Sequence, residues 1–568
     1  MTQNTFSKVS EYIKQNEQRY IEKLRDAVAI PSVSGDINRR ADVFKMGKWL
    51  VDEMQRLNIT IKQHLPGKHM MDGVEAELPP IIMGSYGSDE KKKTVLVYGH
   101  YDVQPALLSD GWNTDPWTLV EKEGKLYGRG STDDKAPVIS WLWVIEAHQK
   151  LGLDMPVNVL MCFEGMEESG SEGLDDLIHS ESTKFFKTAD CVCISDNYWL
   201  GTTKPCLTYG LRGVSYFQIS IKGPGKDLHS GLFGGAVHEP MTDLVLLLSK
   251  LVTPEGKILV PSIYDDVAPV TEAEEKMYET LDFSFKDVHN ATESTNTIHK
   301  TEKELLMARW RYPSLSLHGI EGAFYSSGAK TVIPAKVIGK FSIRSVPNQD
   351  PARLTQIVTD YVNSEFKKLN SKNVIGIECL HEGKAWLADV NDWNFRSAAT
   401  AIEKVFGVKP DMTREGGSIP VTLTFQEALQ KSVLLLPMGR SDDGAHSTNE
   451  KHRPVHCVRN TKGADFPPNF PEVETTIEKG TLQHLEAYSG FKGEEKDLNS
   501  ILKKLKIKRV FIVGFCTEYC VKATAVDSLS NGFETLVITD LICPVNKLNE
   551  EVVFTEMKGC GLKLIESF

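Results

Sequence analysis

Residues 94–105 read TVLVYGHYDVQP. The first five, TVLVY, are almost wholly apolar and lack the polar alternation of a half-exposed strand. Such a run reads as a strand covered on both faces. It passes directly into Gly99, His100, Tyr101 and Asp102. The same pattern recurs along the chain. Residues 157–163 (VNVLMCF) lead to Glu164, Gly165, Met166, Glu167 and Glu168. Residues 191–195 (CVCIS) lead to Asp196, and 433–436 (VLLL) lead through Pro437 to Asp442, Asp443 and His446. Strands of this kind alternating with helical stretches predict an α/β fold with helices on both faces of a largely parallel sheet. In open α/β sheets, sites form beyond the carboxyl ends of the strands. Strand ends that all deliver acids or histidines predict one convergent site.

Working outward, Val9, Ile13, Tyr20, Ile21, Leu24 and Val28 have helical spacing, and the helix should end before Pro31. The stretch 209–385 changes character. It carries glycine-rich turns (Gly223, Gly225, Gly231, Gly234, Gly235), a long helix and a strand over 337–343. Strand ends before and after it serve the same site. It is therefore expected to be an inserted α+β domain, with 1–208 and 386–451 forming one discontinuous domain. From about 452 a new α/β pattern begins, with strands over 454–458, 509–515 and 535–539 and a helix over 518–531. No internal repeat, low-complexity tract or Gly/Ser/Pro linker marks the junction.

The chain has 568 residues, 41% hydrophobic and 25% charged, which is ordinary for a globular protein. A formal net charge of −12 argues against nucleic acid as the main partner. Ten cysteines are too few for a disulfide scaffold and suggest buried or reactive thiols. The first residues lack the apolar core of a secretory signal. No apolar run reaches the ~18 residues of a membrane span. The expected location is the cytoplasm, with no membrane contact.

A lone histidine at a strand end, or a pair of acids such as Glu167-Glu168, is usually structural. The reading changes when His100 and Glu168 stand beside Asp133, Asp196 and His446, each flanked by glycines or turn residues. Carboxylate and imidazole ligands suit zinc or manganese. Two ions a few ångströms apart need a bridging carboxylate, which one aspartate can supply.

The segments GHYDVQP (99–105), GRGSTDDKAPV (128–138), EGMEESGSEGL (164–174), SDNYWLG (195–201), TYGLRG (208–213), DLHSG (227–231), RWRYPSLSLHGIEGAF (309–324), TREGGSIPVTLTFQEA (413–428) and SDDGAHSTNEK (441–451) carry a resemblance. They resemble the cytosolic non-specific dipeptidases of the carnosinase/aminoacylase group of dinuclear metallopeptidases, over almost all of 1–451. The resemblance implies a metallopeptidase catalytic domain and a lid/dimerisation domain over 209–385. It implies two Zn²⁺ or Mn²⁺ ions per chain, held by His100, Asp133, Glu168, Asp196 and His446. Asp133 would bridge, His100 and Asp196 would hold one ion, and Glu168 and His446 the other. Glu167 matches the general acid/base and Asp102 the acid that orients His100. In relatives the Asp133–Asp134 bond is cis. His229 matches a histidine that reaches across a homodimer to polarise the scissile carbonyl. Thr331, Arg344, His381 and Ser418 match residues around a dipeptide substrate, and Glu415 a candidate for its free amine.

The tail departs from this family. HRPVHCVRNTKGADF (452–466), EKGT (478–481), AYSGF (487–491) and GFCTEYCVKATAVDSLSNGF (514–533) resemble the second half of nicotinamidases, which are isochorismatase-like amide hydrolases. The resemblance implies a partial α/β sheet with an unpaired edge over 452–568. Cys520 matches the nucleophile and Lys479 the lysine beside it. The family's aspartate and metal ligands lie in the first half of that domain, which has no matching segment here. Cys520 therefore reads as a relic rather than an amidase nucleophile. The leading expectation is a metal-dependent dipeptidase. N-acyl-amino-acid hydrolysis at the same site, and a non-catalytic fusion, stand as the alternatives.

Overall fold

The computed structural model describes residues 3–122, 124–292, 294–452, 489–492, 497–515, 517–543 and 550–566. The chain divides into two compact units, Met1–Ala464 and Asp465–Phe568.

The first unit is built on a nine-stranded mixed sheet. Its centre holds Asn158–Glu164, Thr94–His100, Cys191–Ile194 and Val433–Leu435, each parallel to its neighbour. These are the strands expected from the sequence. Ile81–Tyr86 flanks them antiparallel on one side and Cys206–Leu211 on the other. Their continuous apolar character follows from cores on both faces. Val97, Met161 and Phe163 enter one cluster with the helices Glu17–Val28, Arg40–Arg56 and Lys135–Lys150. Leu96, Tyr98, Leu160 and Cys162 enter the opposite cluster with Leu174–Glu181 and Pro420–Leu429. Leu96 and Val97 are both fully buried. Each such side chain stabilises the fold by roughly 1.5–3 kcal/mol, so a charge at either would break the sheet's packing.

The helix expected over 9–28 is two helices, Gln3–Gln15 and Glu17–Val28. They break at Asn16, whose Nδ2 donates to the carbonyl of Tyr12 at 2.8 Å. An asparagine side chain that bonds the backbone competes with helix continuation.

A second sheet carries Ser314–Glu321, Lys336–Ser345, Gly213–Lys222 and Val374–Gly383 in that order, all antiparallel. Its Phe217, Ile219, Phe341 and Ile343 pack against Leu244 and Leu247 of Pro240–Leu248 and Val358 and Val362 of Pro351–Lys368. The long helix starts with Pro351 in its first turn and Asp350 accepting the N–H of Arg353 at 2.9 Å. The opposite face of this sheet carries Tyr216, which stacks on His318, and Arg344. Part of the middle segment packs elsewhere. Tyr278, Leu306 and Trp310 cluster with Trp199, Leu200 and Cys206 beside the large sheet. Glu274 accepts from both Arg311 and Arg414, at 2.9 Å each.

Among the described residues, the second unit holds three parallel strands, Arg509–Phe515, Glu534–Cys543 and Lys563–Ile565. The helices Lys522–Ser530 and Glu550–Gly559 share a core with them through Ala525, Val537, Val553 and Met557. Among the described residues, Arg509–Phe515 has a neighbour on one side only. The helix expected over 518–531 begins instead as a π-helical turn, Thr517–Val521, that contains Cys520. Lys479 and the expected strand over 454–458 lie outside the described residues. Among the described residues no helix is long and apolar enough to cross a membrane.

Candidate metal centre

The sheet register brings the carboxyl ends of the central strands together. His100 lies opposite Glu164, Tyr98 opposite Ile194, and Leu435 opposite Ile194 from the other side. His100 is the last residue of its strand and is fully buried. Gly99 before it admits the chain that follows Asp133. A Cβ there would lie 2.5 Å from Val138 Cγ2 and 2.7 Å from Asp134 Oδ2. Asp133 stands just before the helix Lys135–Lys150, and its peptide bond to Asp134 is cis. Glu167 and Glu168 open a 3₁₀ turn, Glu167–Ser169, that ends at Gly170 with φ +95°. Gly165 is needed for another reason: a Cβ there would sit 2.4 Å from the Tyr101 ring.

Two groups of ligand-type atoms result, His100–Asp133–Asp196 and Asp133–Glu168–His446, each within 4.8 Å. His100 Nε2 lies 3.2 Å from Asp133 Oδ1 and 3.7 Å from Asp196 Oδ2. His446 Nε2 lies 3.2 Å from Asp133 Oδ2 and 3.0 Å from Glu168 Oε2. Asp133 thus has one carboxylate oxygen in each group. On the far side of His100, Nδ1 lies 3.1 Å from the carbonyl oxygen and 3.4 Å from Oδ1 of Asp102. A proton held there leaves Nε2 with a lone pair aimed at the cluster. Asp102 also accepts the backbone N–H groups of Glu167 at 3.2 Å and Glu168 at 3.1 Å.

The electrostatics fit a cation. Asp102, Asp133, Asp134, Glu167, Glu168 and Asp196 crowd around two imidazoles in a largely dehydrated space. Burial raises Glu167 well above the usual carboxylate range; His100 offsets this in part, and Asp196 and Glu168 add to it. Burial acts on Asp133 in the same direction, but His100 and His446 override it and hold that carboxyl well below its usual range. Two acids lining one cleft are thus pushed apart, Asp133 toward ionisation and Glu167 toward protonation. So many buried carboxylates are costly unless cations compensate them. Oxygen and imidazole donors suit a divalent metal.

A cleft of about 740 Å³ opens over the cluster and is lined by Asp133, Glu167, Asp196 and His446, and further out by Arg309, Glu415 and Ser418. Ser418 Oγ accepts from Arg344 Nη1 at 3.0 Å and donates to the Arg212 carbonyl at 2.5 Å. Of the expected substrate residues, Glu415, Ser418 and Arg344 are therefore brought together. His229 lies on a separate two-stranded sheet, where it pairs with Val332, and Thr331 immediately precedes that strand, its carbonyl accepting the N–H of Ser230. Both are exposed and neither lines the cleft. His381 is exposed on the second sheet, opposite Tyr216.

Three features escaped the sequence reading. Gln104 donates to Glu168 Oε2 at 2.8 Å. The helix Phe285–Thr292 walls the cleft with Asp287, Val288 and Ala291. Glu450 is fully buried behind the loop that carries Asp133. Glu450 lay within the motif SDDGAHSTNEK, but nothing in its spacing separated it from a surface acid.

The model for peptidase family M20/M25/M40 matches residues 96–462, and that for the isochorismatase domain matches 410–567. The overlap contains Asp411–Glu415 and Val433–Leu435, which are strands of the first unit's sheet. The Cys-Gly metallodipeptidase of Schizosaccharomyces pombe is 54% identical over 448 residues, 79% of this chain and 94% of its own. The human Beta-Ala-His dipeptidase is 44% identical over 458 residues, 80% of this chain and 90% of its own. A solved dipeptidase from Saccharomyces cerevisiae superposes with a TM-score of 0.74 at 50% identity, covering 80% of this chain and 95% of that one. The solved human carnosine dipeptidase 1 gives 0.73 at 44% identity, covering 78% and 94%. The chain belongs to peptidase family M20/M25/M40, carries an isochorismatase domain at its C-terminus, and holds a divalent-metal site.

Proposed function

We propose that the first unit hydrolyses the peptide bond of free dipeptides, with two Zn²⁺ or Mn²⁺ ions and Glu167 as general acid/base. The chain is a metal-dependent dipeptidase; its relatives at 51–56% identity are named metallodipeptidases and those at 44% dipeptidases. The observation that carries the mechanism is Asp133 shared between two ligand groups, with Glu167 lining the same cleft on a backbone fixed by Asp102.

His100 and Asp196 would hold one ion, Glu168 and His446 the other, and Asp133 both. When bound, such ions supply Lewis-acid activation of water and of the scissile carbonyl. Glu167 takes the proton of the attacking water on its carboxylate and returns it to the leaving amine nitrogen. Asp102 keeps His100 in one tautomer and holds Glu167 and Glu168 in divergent roles. Arg344, steadied by Ser418, receives the terminal carboxylate as a charge-assisted pair. Glu415 receives the free amine. His229 and Thr331 stand apart from their own chain's cleft, which supports a homodimer in which each serves the partner's cleft. His381 lies on the same second sheet as Arg344 and borders the substrate in that assembly.

Buried Cys162, Cys191, Cys193 and Cys206 form no disulfide, which fits a reducing cytoplasm. The second unit is read as contributing no amide hydrolysis, with Cys520 a relic, because among its described residues the strand Arg509–Phe515 is paired on one side only.

The test is the purified chain with Mn²⁺ or Zn²⁺, assayed on a free dipeptide, an N-acyl-amino acid and nicotinamide, with metal counted by elemental analysis. About two ions per chain and cleavage of the dipeptide alone are expected. Glu167→Gln should lower kcat by about 10²–10⁴-fold and keep the metal. Preference for the acyl-amino acid, or a chain without metal, would overturn this reading. Nicotinamide hydrolysis lost in Cys520→Ser would overturn the reading of the second unit.

A further inference from the structure

We propose that Glu450 and Arg129 form a clasp that positions Asp133 and His446, and that this clasp determines retention of the ion shared by Asp133, Glu168 and His446. The proposal rests on the dinuclear reading above.

Glu450 is fully buried, and its two oxygens accept four hydrogen bonds from the loop that ends at Asp133. Oε1 accepts the N–H groups of Thr132 at 2.9 Å and Asp133 at 3.0 Å. Oε2 accepts the N–H of Gly130 at 2.9 Å and Arg129 Nη1 at 2.7 Å. The carbonyl of Glu450 accepts the N–H of Gly128 at 3.0 Å. Arg129 then reaches the other side: its Nη2 donates to the carbonyl of Ser447 at 3.2 Å, one residue beyond His446. Its guanidinium also lies 5.3 Å from the centroid of the Trp112 ring, which fixes the fork in place.

The two ligand groups therefore have different supports. His100 ends one of two strands paired in register, Val97 with Cys193 and Tyr98 with Ile194, and Asp196 follows the other. Their spacing is set by sheet hydrogen bonds. His446 has no strand beneath it. It lies in a loop in the left-handed region, at φ +59°, with a side chain 59% exposed. The clasp joins that loop to the Asp133 loop and so supports their 3.2 Å separation. Glu450 touches neither the cleft nor the ligand atoms, so it is a positioning residue. Outer contacts of this kind typically change metal affinity by about 10–100-fold.

Glu450→Gln keeps the shape but places an amide NH₂ against two of the four donors. In the full-length chain we expect elemental analysis after dialysis at limiting Mn²⁺ to give about one ion per chain where the wild type keeps about two. Near-ultraviolet dichroism should be unchanged. On a free dipeptide kcat should fall about 10–100-fold and recover when Mn²⁺ is raised, with KM little altered. A structural defect would not be rescued by metal. Arg129→Lys keeps a cation beside Glu450 but loses the fork to Ser447, and should weaken retention of the same ion. Two ions at wild-type affinity in both variants would overturn the clasp while leaving the dipeptidase reading intact. Should Glu450→Gln not fold, wild-type metal affinity in Arg129→Lys overturns it alone. A wild type without metal or dipeptide cleavage fails the dipeptidase reading instead.

Discussion

Asp102 Oδ1 accepts the backbone N–H of Glu167 at 3.2 Å, while the same carboxylate faces His100 Nδ1. One buried acid thereby fixes a ligand-type histidine and the expected proton carrier. Asp102→Asn leaves one oxygen and turns an NH₂ toward an N–H or the imidazole. We expect kcat on a free dipeptide to drop about 10–100-fold, with KM within a few-fold of wild type. Steady-state kinetics beside a dichroism spectrum check this, and unchanged kcat would remove Asp102 from the mechanism.

His229 is exposed and outside its own cleft. If it serves the partner's cleft, His229→Ala and Glu167→Gln homodimers are each nearly inactive. Mixed dimers of the two then regain one working cleft, which combines Glu167 of one chain with His229 of the other. Activity near a quarter of wild type is expected, roughly, for random mixing in equal amounts. No gain on mixing, with subunit exchange verified, would mean that His229 acts within its own chain or not at all.

Arg344 donates to Ser418, which lines the cleft. A charge-assisted hydrogen bond contributes about 1.5–3 kcal/mol, so Arg344→Met should raise KM for free dipeptides by roughly 10–150-fold. Dipeptide amides lack the terminal carboxylate and should be far less affected. Equal losses on both substrates would place the carboxylate elsewhere.

His452 pairs with Leu126 at the edge of a small sheet. Burial, aided by the Arg440 guanidinium, lowers its pKa to about 4. The unfolded chain takes up this proton near 6.5. Between roughly pH 6.5 and 4 the unfolded state binds more protons, so this group's contribution to stability falls as pH drops, by up to about 1.4 kcal/mol per pH unit. Thermal unfolding of the wild type should lose more Tm from pH 7 to pH 5 than His452→Leu does. Equal losses would show that His452 is protonated in the fold.

The strand runs 94–98, 157–163, 191–195 and 433–436 were legible because both faces of each are buried, so no polar alternation obscures them. The acids and histidines after them were legible because a parallel sheet gathers strand ends. The helix over 9–28 was misjudged at Asn16, where one side-chain hydrogen bond interrupts an otherwise unbroken pattern. The wall Phe285–Thr292 was not legible, since its cleft-facing residues lie far along the chain from the acids they border.

The sequence by itself determined which ligand-type side chains follow the strands and in which order they leave the sheet, because strand periodicity and ligand type are local properties. Only the tertiary structure decided that Asp133 faces both histidines, that His229 and Thr331 stand away from their own cleft, and that Glu450 holds the Asp133 loop. Each of these joins residues tens to hundreds of positions apart through hydrogen bonds or sheet register. No local pattern encodes such distances, and the fold sets them once the strands have paired.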